Sequence, residues 1–181
     1  EEGIAAPVLI GREDKINEIA ELHGLNLEGV EVVHPIVSDE VRHAYAEALY
    51  GSRKRKGLTR AEARSRMYQP TYFAGMMVRQ GDADAVVGGI ESHYSELIRP
   101  ALEVIGRADG VRKVAAMYVV ALRDRELLFF GDTAVNIAPD VGALTDIALL
   151  TAGFVERLGI RPRIAMLSYS TGESGSGDDV E

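Results

Sequence analysis

Apolar positions along the chain alternate between two rhythms, short continuous runs and helical stripes. Residues 6–10 form an apolar run around Pro7 and ahead of Gly11 and read as a strand, and Ile16, Ile19, Ala20 and Leu22 then take the spacing of a helix with one buried face. Residues 30–34 predict a second strand, after which Ser38, followed by Asp39 and Glu40, suits the N-cap of a helix reaching about Tyr50. A basic loop, Arg53 to Lys56, leads through Gly57 to Thr59 with Glu62 three residues on, the capping box of a third helix. Pro70 fits the first turn of a fourth helix, which turns Tyr72, Phe73, Met76, Met77 and Val78 to the core and stops at Gly81.

Residues 83–87 read as a strand running into Gly88 and Gly89, and helical spacing resumes at Ser92. Pro100 has no N–H and crowds the preceding turn, so a kink or break is expected near Arg99. After Gly106 and Gly110 the character changes. Residues 114–122 and 127–130, joined by polar Arg123, Asp124 and Arg125, predict a hairpin or two neighbouring strands. Residues 139–158 predict a long helix with Leu144, Ile147, Ala148, Thr151 and Val155 on one face and Gly159 as its stop, followed by a buried strand at 164–167. Strands alternating with helices predict an α/β fold of largely parallel sheets covered on both faces, with a ligand crevice outside the carboxyl ends of the strands. A boundary at 106–111 would divide it into residues 1–106 and 107–181, and both ends read as cut: little precedes the first strand, and Asp178 and Asp179 look like the first turn of a helix.

Composition narrows the partners. A chain of 181 residues that is 46% hydrophobic can bury one sizeable core or two small ones, and its formal charge of −8 disfavours nucleic acid. The absence of Cys excludes disulfides, thiolate catalysis and Cys-based zinc sites. No apolar run approaches the roughly 20 residues that span a bilayer, and the first residues do not resemble a signal peptide, so a cytoplasmic setting without a membrane partner is expected. His23, His34, His43 and His93 show no ligand spacing, so no metal site is expected, and Met67, Met76 and Met77 read as core filling.

Three segments could carry chemistry. Ser168-Tyr169-Ser170-Thr171-Gly172-Glu173-Ser174-Gly175-Ser176-Gly177 follows a strand and offers hydroxyls and approachable N–H groups that can cradle phosphate; a flexible linker has the same composition. It is neither a Walker loop nor a GxGxxG fingerprint. Gly131-Asp132-Thr133-Ala134-Val135-Asn136 puts a carboxylate, a hydroxyl and an amide at a strand end, where Asp and Asn also form simple turns. Arg53 to Lys56 and Arg99 are the cationic candidates, the first being equally a solvated charge run and Arg99 standing in an apolar stretch beside Pro100.

Taken together, RKRKGLT at 53–59, YFAGMMVRQGDADAVVGG at 72–89, IRPALEVIG at 98–106, GDTAVNIAP at 131–139 and RIAMLSYSTGESG at 163–175 make the chain resemble the phosphate acetyl/butyryl transferase family along essentially its whole length. The resemblance implies a three-layer αβα architecture of two phosphotransacetylase-type subdomains with a cleft between them. It also implies acetyl-CoA, coenzyme A, acyl phosphate or phosphate as ligand, a homo-oligomer, and no cofactor held by these residues. It assigns Arg99, Ser170 and Asp132 to catalysis, and Arg53, Arg99, Asn136, Thr133, Ser168, Ser170, Thr171, Gly172, Ser174 and Gly175 to phosphate or coenzyme A. A later family segment with a Ser-Arg pair and an Asp is absent here. Thr133, where free-standing transferases often have Cys, and His93-Tyr94 resemble the C-terminal domain of hybrid malic enzymes, whereas the STGESGSG loop resembles the free-standing enzymes. The first expectation is therefore a regulatory malic-enzyme domain, with NADP and Mg or Mn in the remainder of that protein. The alternatives are an active phosphate acetyltransferase and a structural oligomerisation module.

Overall fold

The computed structural model describes residues 3–36, 39–90, 92–123 and 126–167. They divide into two compact units, Glu1–Gly106 and Arg107–Glu181.

In the first unit β1 (Val8–Ile10) and β2 (Glu31–Val33) pair in parallel, Val8 opposite Glu31 and Ile10 opposite Val33. Parallel neighbours need a crossover, and α1 (Glu13–Leu22) supplies it. Four helices follow: α2 (Asp39–Arg53), α3 (Arg60–Arg66), α4 (Pro70–Gln80) and α5 (Tyr94–Pro100). A 3₁₀ turn, Lys54–Lys56, follows α2, and a π-helical turn, Ala101–Ile105, continues α5.

Local chemistry sets several of these boundaries. Thr59 Oγ1 accepts from the Glu62 N–H at 3.2 Å while the Glu62 carboxylate accepts from the Thr59 N–H at 2.8 Å, so both arms of the capping box are made. Pro70 opens α4, and Gly81, at φ 84°, ends it in the left-handed region that a side chain disfavours. The core joins Tyr45 and Leu49 of α2, Ala63 of α3 and Met67 at its C-cap, Phe73 and Met76 of α4, and Val104 of the π turn, with Val8, Ile10 and Val33 of the sheet packed against it. The Tyr45 and Phe73 rings meet at 5.2 Å, tilted by 56°. Arg42 is the buried charged residue among the described ones. It donates to Pro35 O at 2.8 Å and Ile36 O at 2.6 Å, pairs with Asp39 and lies over the Tyr68 ring, tying the β2–α2 connection to the helical layer.

In the second unit β3 (Met117–Val120) pairs antiparallel with β4 (Leu128–Gly131), as the hairpin pattern predicts. Helix α6 (Val141–Arg157) starts two residues later than residue 139, because Asp140 is its N-cap and accepts from the Ala143 N–H at 2.7 Å.

Four expectations change. The basic run is helical rather than a loop: Arg53 closes α2 and Lys54–Lys56 form the 3₁₀ turn. Residues 83–87 and 164–167 are not strands, for they pair with no described strand, and their apolar side chains lie open, Val87 at 98% and Leu167 at 86% exposure. The sheets among the described residues are two-stranded, one parallel and one antiparallel, rather than largely parallel. Pro100 does not break the helix; the chain widens from α to π beyond it, and the Gly106 N–H reaches five residues back to Ala101 O at 3.0 Å. The Ser38 cap lies outside the described residues.

Two outcomes check this account. Phe73, 1% exposed, leaves a cavity on truncation, so Phe73→Ala lowers stability by about 3–5 kcal/mol in urea unfolding, and a loss below about 1 kcal/mol would refute the core assignment. The Thr59 N–H, then its hydroxyl, holds the Glu62 carboxyl below the ordinary glutamate range. A depressed folded pKa gives a contribution that is complete above the unfolded value of about 4.3 and fades as pH falls through the folded one. Acid titration of helix content should therefore lose that component in Glu62→Gln.

Candidate functional site

The first unit carries the cationic candidates and the second the 131–136 segment. In the first, Arg99 sits in the last turn of α5, is exposed, and makes no ion pair among the described residues. Its backbone passes directly into the π turn, which is held from several sides. The Glu103 carboxylate accepts from Tyr72 Oη at 2.8 Å and from Arg66 Nη1, whose guanidinium also stacks 5.2 Å from the Tyr72 ring centroid. Arg53 Nη1 donates to Glu103 O at 3.1 Å, and Arg79 Nη1 donates to Val104 O. Burial, then the bond to Glu103, pushes the Tyr72 hydroxyl above its ordinary pKa, while the positive charges of Arg66 and Arg99 act in the opposite direction. Tyr72 therefore remains a donor across the neutral range, and Arg99 lies close enough for its charge to be felt there.

Arg53 thus commits one guanidinium nitrogen to a backbone carbonyl of its own unit, whereas Lys54, Arg55 and Lys56 are exposed. Arg66, Tyr72, Arg79 and Glu103 escape sequence reasoning as a group because they are brought together from α3, α4 and the π turn. The one local signal is Glu103 itself, a single acid inside the apolar run 101–105.

In the second unit the 131–136 segment forms a self-bonded turn. Gly131 ends β4 where α6 packs: a Cβ there would stand 2.9 Å from Thr151 Oγ1. The Asp132 N–H extends the ladder to Ala116 O at 2.7 Å, and Asp132 itself takes φ 56°, a left-handed conformation that Asp tolerates better than most residues. Asp132 Oδ1 accepts from the Asn136 N–H at 3.3 Å and from Nδ2 at 3.0 Å, and Nδ2 also donates to Val114 O at 3.0 Å. Asp132 Oδ1 and Asn136 Nδ2 accordingly hold the turn. Thr133 differs: its Oγ1 is buried and has no hydrogen-bond partner among the described residues. Ser168, Ser170, Thr171, Gly172, Ser174 and Gly175 lie outside the described residues. A surface depression lined by Asn17, Glu21, Leu25 and Glu28 carries carboxylates and no cation, so it does not suit an anionic ligand.

The fold is that of the phosphotransacetylases. A EutD phosphotransacetylase from Staphylococcus aureus superposes with a TM-score of 0.78 at 31% identity, covering 97% of this chain and 52% of that one. A phosphotransacetylase from Streptococcus pyogenes gives a TM-score of 0.78 at 29% identity, covering 98% of this chain and 54% of that one. The chain belongs to the phosphate acetyl/butaryl transferase family, whose sequence profile matches residues 1–181. It is similar to the phosphate acetyltransferase of Nitratidesulfovibrio vulgaris, 41% identical over 179 residues covering 98% of this chain and 25% of that protein. It is also similar to that of Helicobacter pylori, 37% identical over 179 residues covering 99% of this chain and 34% of that protein. The chain therefore spans between a quarter and about a third of the length of these curated relatives.

A buried hydroxyl without a partner costs free energy in the unliganded protein. Thr133→Val keeps the shape and removes that cost, so it should leave stability unchanged or raise it by about 1 kcal/mol in thermal unfolding. A loss of more than about 1 kcal/mol would mean that the hydroxyl is bonded in the free protein.

Proposed function

We propose that this chain works in phosphate acetyl transfer, moving an acetyl group between coenzyme A and phosphate, with Arg99 as an anion-binding cation of the site. The observation that carries this reading is the family match over residues 1–181, together with relatives that are described as phosphate acetyltransferases at 37% to 41% identity. Those descriptions favour the acyltransferase over the regulatory malic-enzyme domain, for which Thr133 and the His93-Tyr94 pair remain the sequence features. NADP and a divalent metal, expected only in a malic-enzyme parent, have no role in this reading.

In the forward direction a phosphate oxygen attacks the thioester carbonyl carbon. The C–O bond forms, the C–S bond breaks, and the proton carried by hydrogen phosphate ends on the coenzyme A thiol. No group on the protein needs to be acylated. The demand on the site is to bring two anionic molecules together and to stabilise the negative charge that develops on the carbonyl oxygen. Arg99 meets that demand chemically, since a guanidinium presents paired donors to phosphate or carboxylate oxygens. Its exposure and its lack of an ion pair among the described residues leave those donors available. Ser168, Ser170, Thr171 and Ser174, with the amides of Gly172 and Gly175, are assigned the complementary donors on sequence grounds, and Thr133 an additional hydroxyl. Asp132 and Asn136 shape the turn that carries Thr133.

The test is acetyl phosphate formation from acetyl-CoA and phosphate by the full-length protein, followed by release of free thiol. Turnover is expected, with Arg99→Ala lowering kcat/KM for phosphate by about 10²-fold and Arg99→Lys falling between the two. An inactive full-length protein would sink the acetyl-transfer reading. Turnover that Arg99→Ala leaves within about twofold would remove Arg99 from it.

A further inference from the structure

We infer that Glu103 is a positioning residue for Arg99, holding the π turn so that the Arg99 guanidinium is presented at a fixed place to a phosphate-type anion. The inference rests on the proposed anion-binding role of Arg99.

The turn needs such a holder. Pro100 provides no N–H, so the helical ladder loses a bond immediately after Arg99, and the widened turn beyond it closes through the Gly106 N–H to Ala101 O bond at 3.0 Å. Side chains from three other helices hold the turn. Arg53 at the end of α2 reaches Glu103 O at 3.1 Å, Arg79 of α4 reaches Val104 O, and Arg66 of α3 and Tyr72 of α4 converge on the Glu103 carboxylate. The Val104 side chain is 0% exposed and packs where Gly75 leaves α4 without a Cβ. Glu103 is the member that links most of these, through its carbonyl to α2 and through its carboxylate to α3 and α4. Its side chain is 20% exposed and that of Arg66 27%, so the pair is shielded enough for loss of one partner to be felt.

The sign of the electrostatics separates positioning from proximity. A carboxylate near an anion-binding arginine weakens anion binding through space, so a Glu103 that acted only by its charge would bind phosphate better once neutralised. If instead Glu103 fixes the turn, neutralising it loosens Arg99 and weakens binding, although the site becomes more positive.

The experiment compares the full-length wild type with Glu103→Gln and Tyr72→Phe, the latter keeping the ring and removing the hydroxyl. The Kd for inorganic phosphate is measured by calorimetry, and kcat and KM for phosphate in the acetyl-CoA assay. Glu103→Gln should raise both the Kd and the KM for phosphate about tenfold with kcat at saturating phosphate little changed, and Tyr72→Phe should move both in the same direction by less. A Kd that is unchanged while the Tm falls would reduce Glu103 to a structural pin, and a tighter Kd would make it a through-space charge; either overturns the inference. A wild type that binds phosphate but forms no acetyl phosphate would refute acetyl transfer alone, and the Kd comparison would still decide the role of Glu103. A wild type that binds no phosphate overturns this inference as well.

Discussion

Pro100 takes one backbone donor out of the helix that ends the first unit, and much around it follows from that loss. A helix that cannot make its regular bond there must stop, kink or widen, and this one widens into a π turn at Ala101–Ile105. The last carbonyls of a helix have no partner within it, and here Arg53 and Arg79 supply donors to Glu103 O and Val104 O. Those arginines can reach only because α2 and α4 are fixed against each other by Tyr45, Leu49, Phe73 and Met76. The core therefore determines where the turn lies, and the turn determines where Arg99 is carried.

The arginines of this unit sort by what they face. Arg60 and Arg64 approach Glu47 on the surface, at 3.1 Å and 3.8 Å, in exposed pairs of the kind that contribute little. Arg42, Arg53 and Arg79 spend donors on backbone carbonyls. Arg66 is matched to Glu103. Arg99 differs from the exposed Lys54, Arg55 and Lys56 in its setting: its backbone precedes a turn anchored by four side chains, so the entropy of fixing its position is already partly spent before a ligand arrives.

Most features legible in the sequence are those whose partners lie close by in the chain, within one helical turn or across one hairpin. Thr59 with Glu62 and the Asp132–Asn136 turn need only residues a few positions apart, while Pro70 and Gly81 each mark one end of α4 on its own, and all of these are made. Residues 83–87 and 164–167 show the other side. Their apolar composition is that of strands, but a strand exists only through a neighbour, and composition carries no record of one. Arg53 shows the same limit: a basic residue in a basic run looks solvated until the fold brings the backbone carbonyl of Glu103, fifty positions on, to its guanidinium. The Arg66–Glu103–Tyr72 group spans 37 and 31 positions, beyond the reach of any local pattern. The family resemblance identifies the strings that contain several of these residues without saying which of them meet.

The turn after β4 holds two unfavourable features side by side. Asp132 occupies the left-handed region at φ 56°, and the adjacent Thr133 hydroxyl is buried without a partner. The first is offset locally, since Asp132 Oδ1 gathers two bonds from Asn136 and Asp132 N extends the ladder. The second has no such offset within the described residues, and removing the hydroxyl would remove its desolvation cost without leaving a cavity. A fold gains nothing by keeping a threonine there for packing, because valine has the same shape. What threonine adds is a donor and acceptor that valine lacks, and it carries the desolvation cost of a buried hydroxyl. Asp132 and Asn136 bond each other and the neighbouring backbone, and so hold the turn in which this one hydroxyl is fixed.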